Sequence, residues 1–290
     1  MTAPEGQLWF GDDAAVLHEP PLGLDLLLCA DVAVEGVHAD LDLLSPAMLG
    51  WRAVAATLSD LAAMGARPWR MVVTACGSKL APVSAIMEGA IEAGAAFGCP
   101  IVGGDISSAP VASVSVSAMG LVSSGAAVTR SGASAGELLF ATSALGASAA
   151  GLRMLRDGGR DEGGALIEAH RRPTPQIAEG TAARLGGATA MIDVSDGFSL
   201  DLHRLAVASA VGVELETLPI AVGATEAEAL GGGEDYVLIF SAPAASPIIE
   251  AFDGAQLAQP IVLGQTVAET GRRNLRGLAF DATGFGHDVA

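Results

Sequence analysis

The sequence predicts an α/β protein, in the broad sense that includes α+β, built as two domains. Three observations carry that prediction. Strand-like and helix-like segments alternate through both halves; a run of small residues, SSGAAVTRSGASA at 123–135, separates the halves; and the helix within AVAATLSDLAAMGARP, residues 53–68, is apolar on nearly every face. The boundary is placed after residue 124, giving domains 1–124 and 125–290.

In chain order, Gly11-Asp12-Asp13 opens into AAVL, and residues 24–34 read as a largely buried strand interrupted by Asp25 and Asp31. Ser45-Pro46 offers an N-cap and a first-turn proline for the apolar helix, while Gly65 and Pro68 offer its stop. A strand at 69–76, a helix at 81–97 and a short strand at 100–103 follow, with Asp105 just beyond Gly103-Gly104. Ser alternates with Val and Ala through 111–122, the period of a strand with one polar face. The second half reads as strands at 137–142, 188–194, 213–216, 236–241 and near 261–264. Helices fall at 147–155, 175–185, 199–210 and near 246–251, and the glycine-rich 157–164 reads as a mobile loop.

Composition narrows the function. With 290 residues and 51% hydrophobic content, the chain can fill two ordinary cores. No uncharged apolar run reaches membrane-spanning length, and MTAPEGQLWFGDD lacks the basic and apolar segments of a secretory signal, so a soluble cytoplasmic protein is expected. Cys29, Cys76 and Cys99 are odd in number and form no C-x-x-C, which argues against a disulfide framework or a structural zinc site. A net charge of −18 opposes any grip on nucleic-acid phosphates. The single lysine, Lys79 in CGSKL, follows Ser, so no G-x-x-x-x-G-K-[ST] phosphate loop exists. An anionic nucleotide would need divalent cations between its phosphates and the protein's carboxylates.

Asp12, Asp13, Asp31, Asp60, Asp105, Asp193 and Asp196 share a context, each lying beside an apolar strand or inside the apolar helix. Hard cations such as Mg²⁺ take oxygen ligands, one or two carboxylates each, so such a set can hold several ions. An Asp at a strand end serves equally as a turn or cap residue, and Asp60 could end a shorter helix. In IDVSDG at 192–197, two carboxylates stand at i and i+3 on a strand-to-helix turn whose backbone N–H groups can meet a phosphate; Ser195 there could equally be an N-cap. Gly231-Gly232-Gly233 leaves room for a ligand beside Glu234, and His38 stands at a strand end where a structural role is the commoner one. GASAG at 132–136 fits G-x-S-x-G but precedes a strand, so Ser134 is a loop residue rather than a nucleophile.

Taken together, DVAVEGVHAD, TLSDLAAMGARP, IVGGDISS, VTRSGASAGELLFATSALGASAAGL, RRPTP, MIDVSDGFSLDL and LGGGEDYVLIF closely resemble, in order and spacing, the thiamine-monophosphate kinase family of the aminoimidazole ribonucleotide synthetase superfamily. The resemblance runs from Gly11 to about His287. It implies two α/β domains, with an N-terminal mixed sheet that binds ATP and Mg²⁺ and forms a homodimer interface. It also implies ATP-dependent phosphorylation of thiamine monophosphate to thiamine diphosphate by direct, Mg²⁺-assisted transfer. Carried over by position, Asp13, Asp31, Asp60, Asp105, Asp193 and Asp196 would be metal ligands, and Cys29, Ala30, Gly104, Asp105, Arg130 and Ser195 would lie near ATP. His38, Glu234 and Phe285 would lie near the thiamine moiety, and Asp60, Asp196 and Arg130 would carry catalysis.

The chain departs from the family at Cys29-Ala30, where hydroxyl residues are usual, at Ala39, Ser108 and Val237, in its closing GFGHD, and in its short N-terminal segment. A selenophosphate synthetase-like reading would favour a reactive Cys in a glycine-rich N-terminal segment, and a hydrogenase-maturation enzyme a C-terminal Cys; the chain ends HDVA. The lost hydroxyls motivate a further rival, a non-catalytic nucleotide-binding homologue.

Overall fold

A computed structural model describes residues 15–18, 23–159 and 164–286, with 15–18, 80 and 81 through their backbone alone. The first half runs β1 (Ala15–His18), β2 (Leu24–Val34), α1 (Pro46–Ala63), β3 (Arg67–Gly77), α2 (Leu80–Ala96), β4 (Ile101–Ser108) and β5 (Ser113–Ser123). These strands form a sheet in the order β1-β2-β5-β3-β4, antiparallel except for the parallel β3–β4 pair. The period-2 pattern decides its faces. Cys29, Ala33, Val73, Val114 and Val116 are buried against the helices, whereas Leu28, Val32 and Val72 are 40–51% exposed on the other face.

Helix α1 begins as its sequence dictates: the Ser45 side chain accepts the Met48 N–H, Pro46 opens the first turn, and Gly65 follows at φ +67°. Thirteen of its residues are buried, because it packs on β2, β5, α2 and α5 and against β7 of the second domain. The crossing with α2 is close: a Cβ at Gly50 would stand 1.9 Å from the Ile86 carbonyl oxygen, and one at Gly89 1.8 Å from that of Ala47.

The second half runs β6 (Leu138–Ala141), α3 (Ala147–Arg156), α4 (Ala165–Arg171), α5 (Ile177–Leu185), β7 (Ala190–Asp193), α6 (Phe198–Ala208), β8 (Gly212–Leu215), α7 (Glu226–Gly231), β9 (Leu238–Ala242), α8 (Ala245–Gly254), β10 (Ile261–Val267), β11 (Arg273–Leu275) and β12 (Leu278–Ala279). Its sheet has the order β12-β11-β8-β10-β6-β9-β7. Leu139, Ala141, Ile192 and Ile239 face a core shared with α6, while Phe140, Met191 and Phe240 face one shared with α5, α8 and the end of α1. Burial on both faces explains why LLFA and YVLIF read as unbroken apolar runs instead of alternating ones. Phe140 stacks on Phe240, with ring centroids 5.0 Å apart, and Phe240 on Phe252 at 6.3 Å.

Two differences from the sequence reading stand out. β4 continues to Ser108, so Asp105 lies inside a strand and not beyond its end. Helices α4 and α7 were absent from the predicted elements; α7 carries a capping box between Thr225 and Glu228, a T-x-x-E pattern legible in the sequence. Of the expected loop at 157–164, residues 160–163 lie outside the described residues. Among the described residues no helix is long and apolar enough to cross a membrane.

Candidate functional site

Four aspartates reach one cavity because four pieces of local structure end at the seam between the two sheets. Asp31 lies on the helix-facing side of β2, Asp60 in the last turn of α1, Asp193 at the end of β7, and Asp196 in the turn that enters α6. All four line a cavity of about 790 Å³, as do Ser195, His38, Glu234 and Phe285. Asp193 is only 3% exposed and accepts a 2.6 Å hydrogen bond from the Ser59 hydroxyl, which ties α1 to the second domain.

The turn at 195–197 differs from its sequence reading. Its backbone N–H groups are already taken: Oδ2 of the buried Asp201 accepts from Ser195, Asp196 and Gly197 at 3.1, 2.9 and 3.1 Å. The phosphate expected on these groups would have to displace a carboxylate that the chain itself supplies. Burial, partly offset by the Asp196 and Gly197 N–H groups and by Arg204, pushes the Asp201 carboxyl up to about 6. Arg204 Nη1 donates to Asp196 Oδ2 and to Asp201 Oδ1, both at 2.6 Å. The Phe285 N–H donates to the Asp196 carbonyl at 2.8 Å, drawing the C-terminal segment over the turn.

Elsewhere around the cavity, His38 Nδ1 accepts the Val34 N–H at 3.1 Å, so a neutral His38 ring carries its proton on Nε2. Arg52, buried in α1, pairs with Glu234 and donates to the carbonyls of His170 and His38. Glu234 has φ +64°, a left-handed conformation uncommon outside glycine, and its N–H donates to the Ser195 carbonyl at 2.8 Å. Next to it, Asp235 accepts the N–H groups of Gly146 and Ser148 at the start of α3, and burial raises its carboxyl to about 6. His170 is the reverse case. Burial, then Arg52, Arg156 and Arg171, lower it to about 3, so it stays neutral beside the Ser148 hydroxyl at 3.1 Å.

Other predicted site residues are placed elsewhere. Cys29 is packed in the core, its Sγ directed at the Thr57 carbonyl at 3.2 Å, because odd-numbered residues of β2 face the helices. Ala30, its neighbour, is exposed on the opposite face, so the two cannot flank one ligand from the same side. Asp105, beside Gly104 on the outer strand β4, pairs with Thr74; it stands three strand spacings, about 14 Å, across the sheet from β2 and does not line the cavity. Arg130 sits in the turn after Thr129, its carbonyl accepting from Ser209, and it too is absent from the cavity lining. Asp13 lies outside the described residues, as does Asp12. Among the described residues, no three His, Cys, Asp or Glu side chains stand close enough together to hold a metal ion. Sequence reasoning missed Arg52, Ser59, Asp201 and Tyr236, all of which support or line the cavity. Arg52 alone left a signal, as the one basic residue in a largely apolar helix.

Comparison with known proteins gives the family. Residues 11–122 match the N-terminal domain of AIR synthase related protein, and 134–273 match its C-terminal domain. Thiamine-monophosphate kinase of Synechococcus elongatus is 35% identical over 79% of this chain and 75% of its own, and that of Escherichia coli 36% identical over 82% and 77%. Among solved structures, AaThiL complexed with AMPPCP and TMP superposes with a TM-score of 0.84 at 29% identity, covering 95% of this chain and 90% of that one. The thiamine-monophosphate kinase of Stenotrophomonas maltophilia gives 0.81 at 30% identity, covering 95% and 93%. Escherichia coli HypE, at 20% identity and TM-score 0.71 over 90% and 87%, shares the fold. With both domain matches and relatives of this identity along most of its length, the chain belongs to the AIR synthase related family and, within it, to the thiamine-monophosphate kinases.

Proposed function

We propose that the protein transfers the γ-phosphoryl group of ATP to thiamine monophosphate, forming thiamine diphosphate and ADP. The observation that carries this reading is the meeting of Asp31, Asp60, Asp193 and Asp196, drawn from both domains, on one cavity with His38, Glu234 and Phe285. Family membership supports it, as does the relative that superposes here with AMPPCP and TMP bound. An oxygen of the acceptor phosphate attacks the γ-phosphorus in line, the bond to the β–γ bridging oxygen breaks, and its electron pair leaves with ADP. The acceptor is already ionised at neutral pH, so no general base is needed.

The aspartates lining the cavity provide hard oxygen donors, which suit Mg²⁺, an ion that keeps water and substrate phosphate among its ligands. Asp60 and Asp196 would hold it, with Asp31 and Asp193 beside them. When bound, it would neutralise phosphate charge and align donor with acceptor. The chain's own groups hold the geometry: Ser59 fixes Asp193, Asp201 braces the turn that carries Asp196, and His38, Glu234 and Phe285 form the thiamine side. Arg130 would meet the nucleotide phosphates.

A second copy of the chain would cover the open face of the N-terminal sheet, where Leu28, Val32 and Val72 stand 40–51% exposed. In that homodimer, Ala30, Gly104 and Asp105 would make their nucleotide contacts beside the interface, and domain 1–124 would be the nucleotide-binding and dimerisation unit. A cytoplasmic location suits an enzyme that draws on ATP.

The test is incubation with ATP, Mg²⁺ and thiamine monophosphate. Thiamine diphosphate and ADP in equal amounts support the kinase. Nucleotide binding without turnover refutes it.

A further inference from the structure

Arg52 is the residue whose burial demands the most explanation. It is 3% exposed, in a helix whose other buried side chains are uncharged, and an unpaired guanidinium there would be prohibitively costly. Its partners come from three separate segments. Nη1 donates to the His170 carbonyl on α4, and Nη2 donates to the His38 carbonyl in the connection from β2 to α1 and pairs with the Glu234 carboxylate after α7. The guanidinium is planar and its donors diverge at fixed angles, so contacts with three segments fix their relative positions as a flexible ammonium would not. Glu234 also needs holding. Its left-handed backbone persists only where the surroundings over-determine it, and the Ser195 carbonyl and Arg52 grip it at backbone and side chain respectively.

From this geometry we infer that Arg52 is a positioning residue for the acceptor: it locks the His38 segment of the first domain to the Glu234 loop of the second, and so shapes the wall against which the thiamine moiety binds. The inference rests on the acceptor assignment made above. Arg52 acts through Glu234 and His38, so its loss weakens acceptor recognition far more than nucleotide binding or the transfer step.

The experiment compares Arg52→Gln, Arg52→Lys, Glu234→Gln and the double variant Arg52→Gln/Glu234→Gln, each checked for folding by circular dichroism. Arg52→Gln is expected to raise KM for thiamine monophosphate about tenfold or more, the worth of one lost charged contact, while KM for ATP and kcat move less than threefold. Arg52→Lys keeps the charge opposite Glu234 but not the fork, and is expected to recover part of the loss. In the double variant the effects of the two changes should not add, because both break the same link. Hydrogen exchange at the 231–236 amides should speed up in Arg52→Lys, a readout independent of turnover that also stands in should Arg52→Gln fail to fold. Equal changes in KM for both substrates, additive effects, or unchanged exchange would overturn the inference. If the wild-type protein makes no thiamine diphosphate, the kinase reading fails instead, and exchange at 231–236 still decides whether Arg52 holds the loop.

Discussion

Asp201 gives the sharpest prediction about how the turn carrying Asp196 is held. Its Oδ2 takes three backbone N–H groups and its Oδ1 takes Arg204, at 1% exposure. Asp201→Asn can keep the three N–H groups on its carbonyl oxygen, but its NH₂ then faces the Arg204 donor. The lost bond would be worth about 1.5–3 kcal/mol if fully charge-assisted, and less here because Arg204 is 40% exposed. Relief from burying an ionised carboxylate offsets part of that, which leaves about 1–2 kcal/mol of destabilisation. Asp201→Ala removes every acceptor at once. The Gly197 N–H is buried and bears the full cost of about 1–3 kcal/mol, while the half-buried Ser195 and Asp196 N–H groups recover some water, giving about 3–5 kcal/mol in total. Urea unfolding followed by circular dichroism measures both variants. An alanine variant as stable as the asparagine variant, or as the wild type, would show that the carboxylate does not brace the turn.

The remaining predictions concern chemistry, pH, core and assembly. Asp60→Asn and Asp196→Asn should each lower kcat by at least about a hundredfold with the fold intact, read by steady-state kinetics and circular dichroism; full activity in either refutes the site. His170 is neutral in the native state, whereas an unfolded histidine near 6.5 takes up a proton, so its contribution is complete above pH 6.5 and is lost as pH falls toward 3. His170→Asn should therefore remove about 2 kcal/mol of the stability loss between pH 6.5 and 5, seen by comparing urea midpoints at the two values. Phe240→Ala opens the stack between Phe140 and Phe252 and should cost about 3–5 kcal/mol in the same assay. Val72→Asp, on the open face of the N-terminal sheet, should turn the proposed dimer into monomers in sedimentation equilibrium; an unchanged mass would refute that interface.

Much of the frame could be read from local pattern. Ser45, Pro46 and Gly65 bound α1 because capping depends on residues within a few positions of one another. β2 was legible from its apolar run, and β5 from its Ser–Val alternation, since a strand's two faces follow from period 2 alone. The same locality explains what stayed hidden. The helix Ala165–Arg171 is a short segment held to α3, and no pattern within its seven residues signals it.

The candidate site divides along the same line. By itself the sequence determined that acidic residues sit within or beside apolar elements, and that Asp60 lies inside an apolar helix; each follows from its immediate neighbours. Only the tertiary structure decided that Asp31, Asp60, Asp193 and Asp196 face one cavity while Asp105, on the strand three places from β2, does not line it, and that Cys29 turns into the core. Tertiary structure alone also showed that Asp201 fills the turn offered to a phosphate and that Arg52 joins three segments. The physical reason is one of distance. Strand order and the packing of α1 between two sheets join groups more than a hundred residues apart, and no pattern of near neighbours encodes which of them meet.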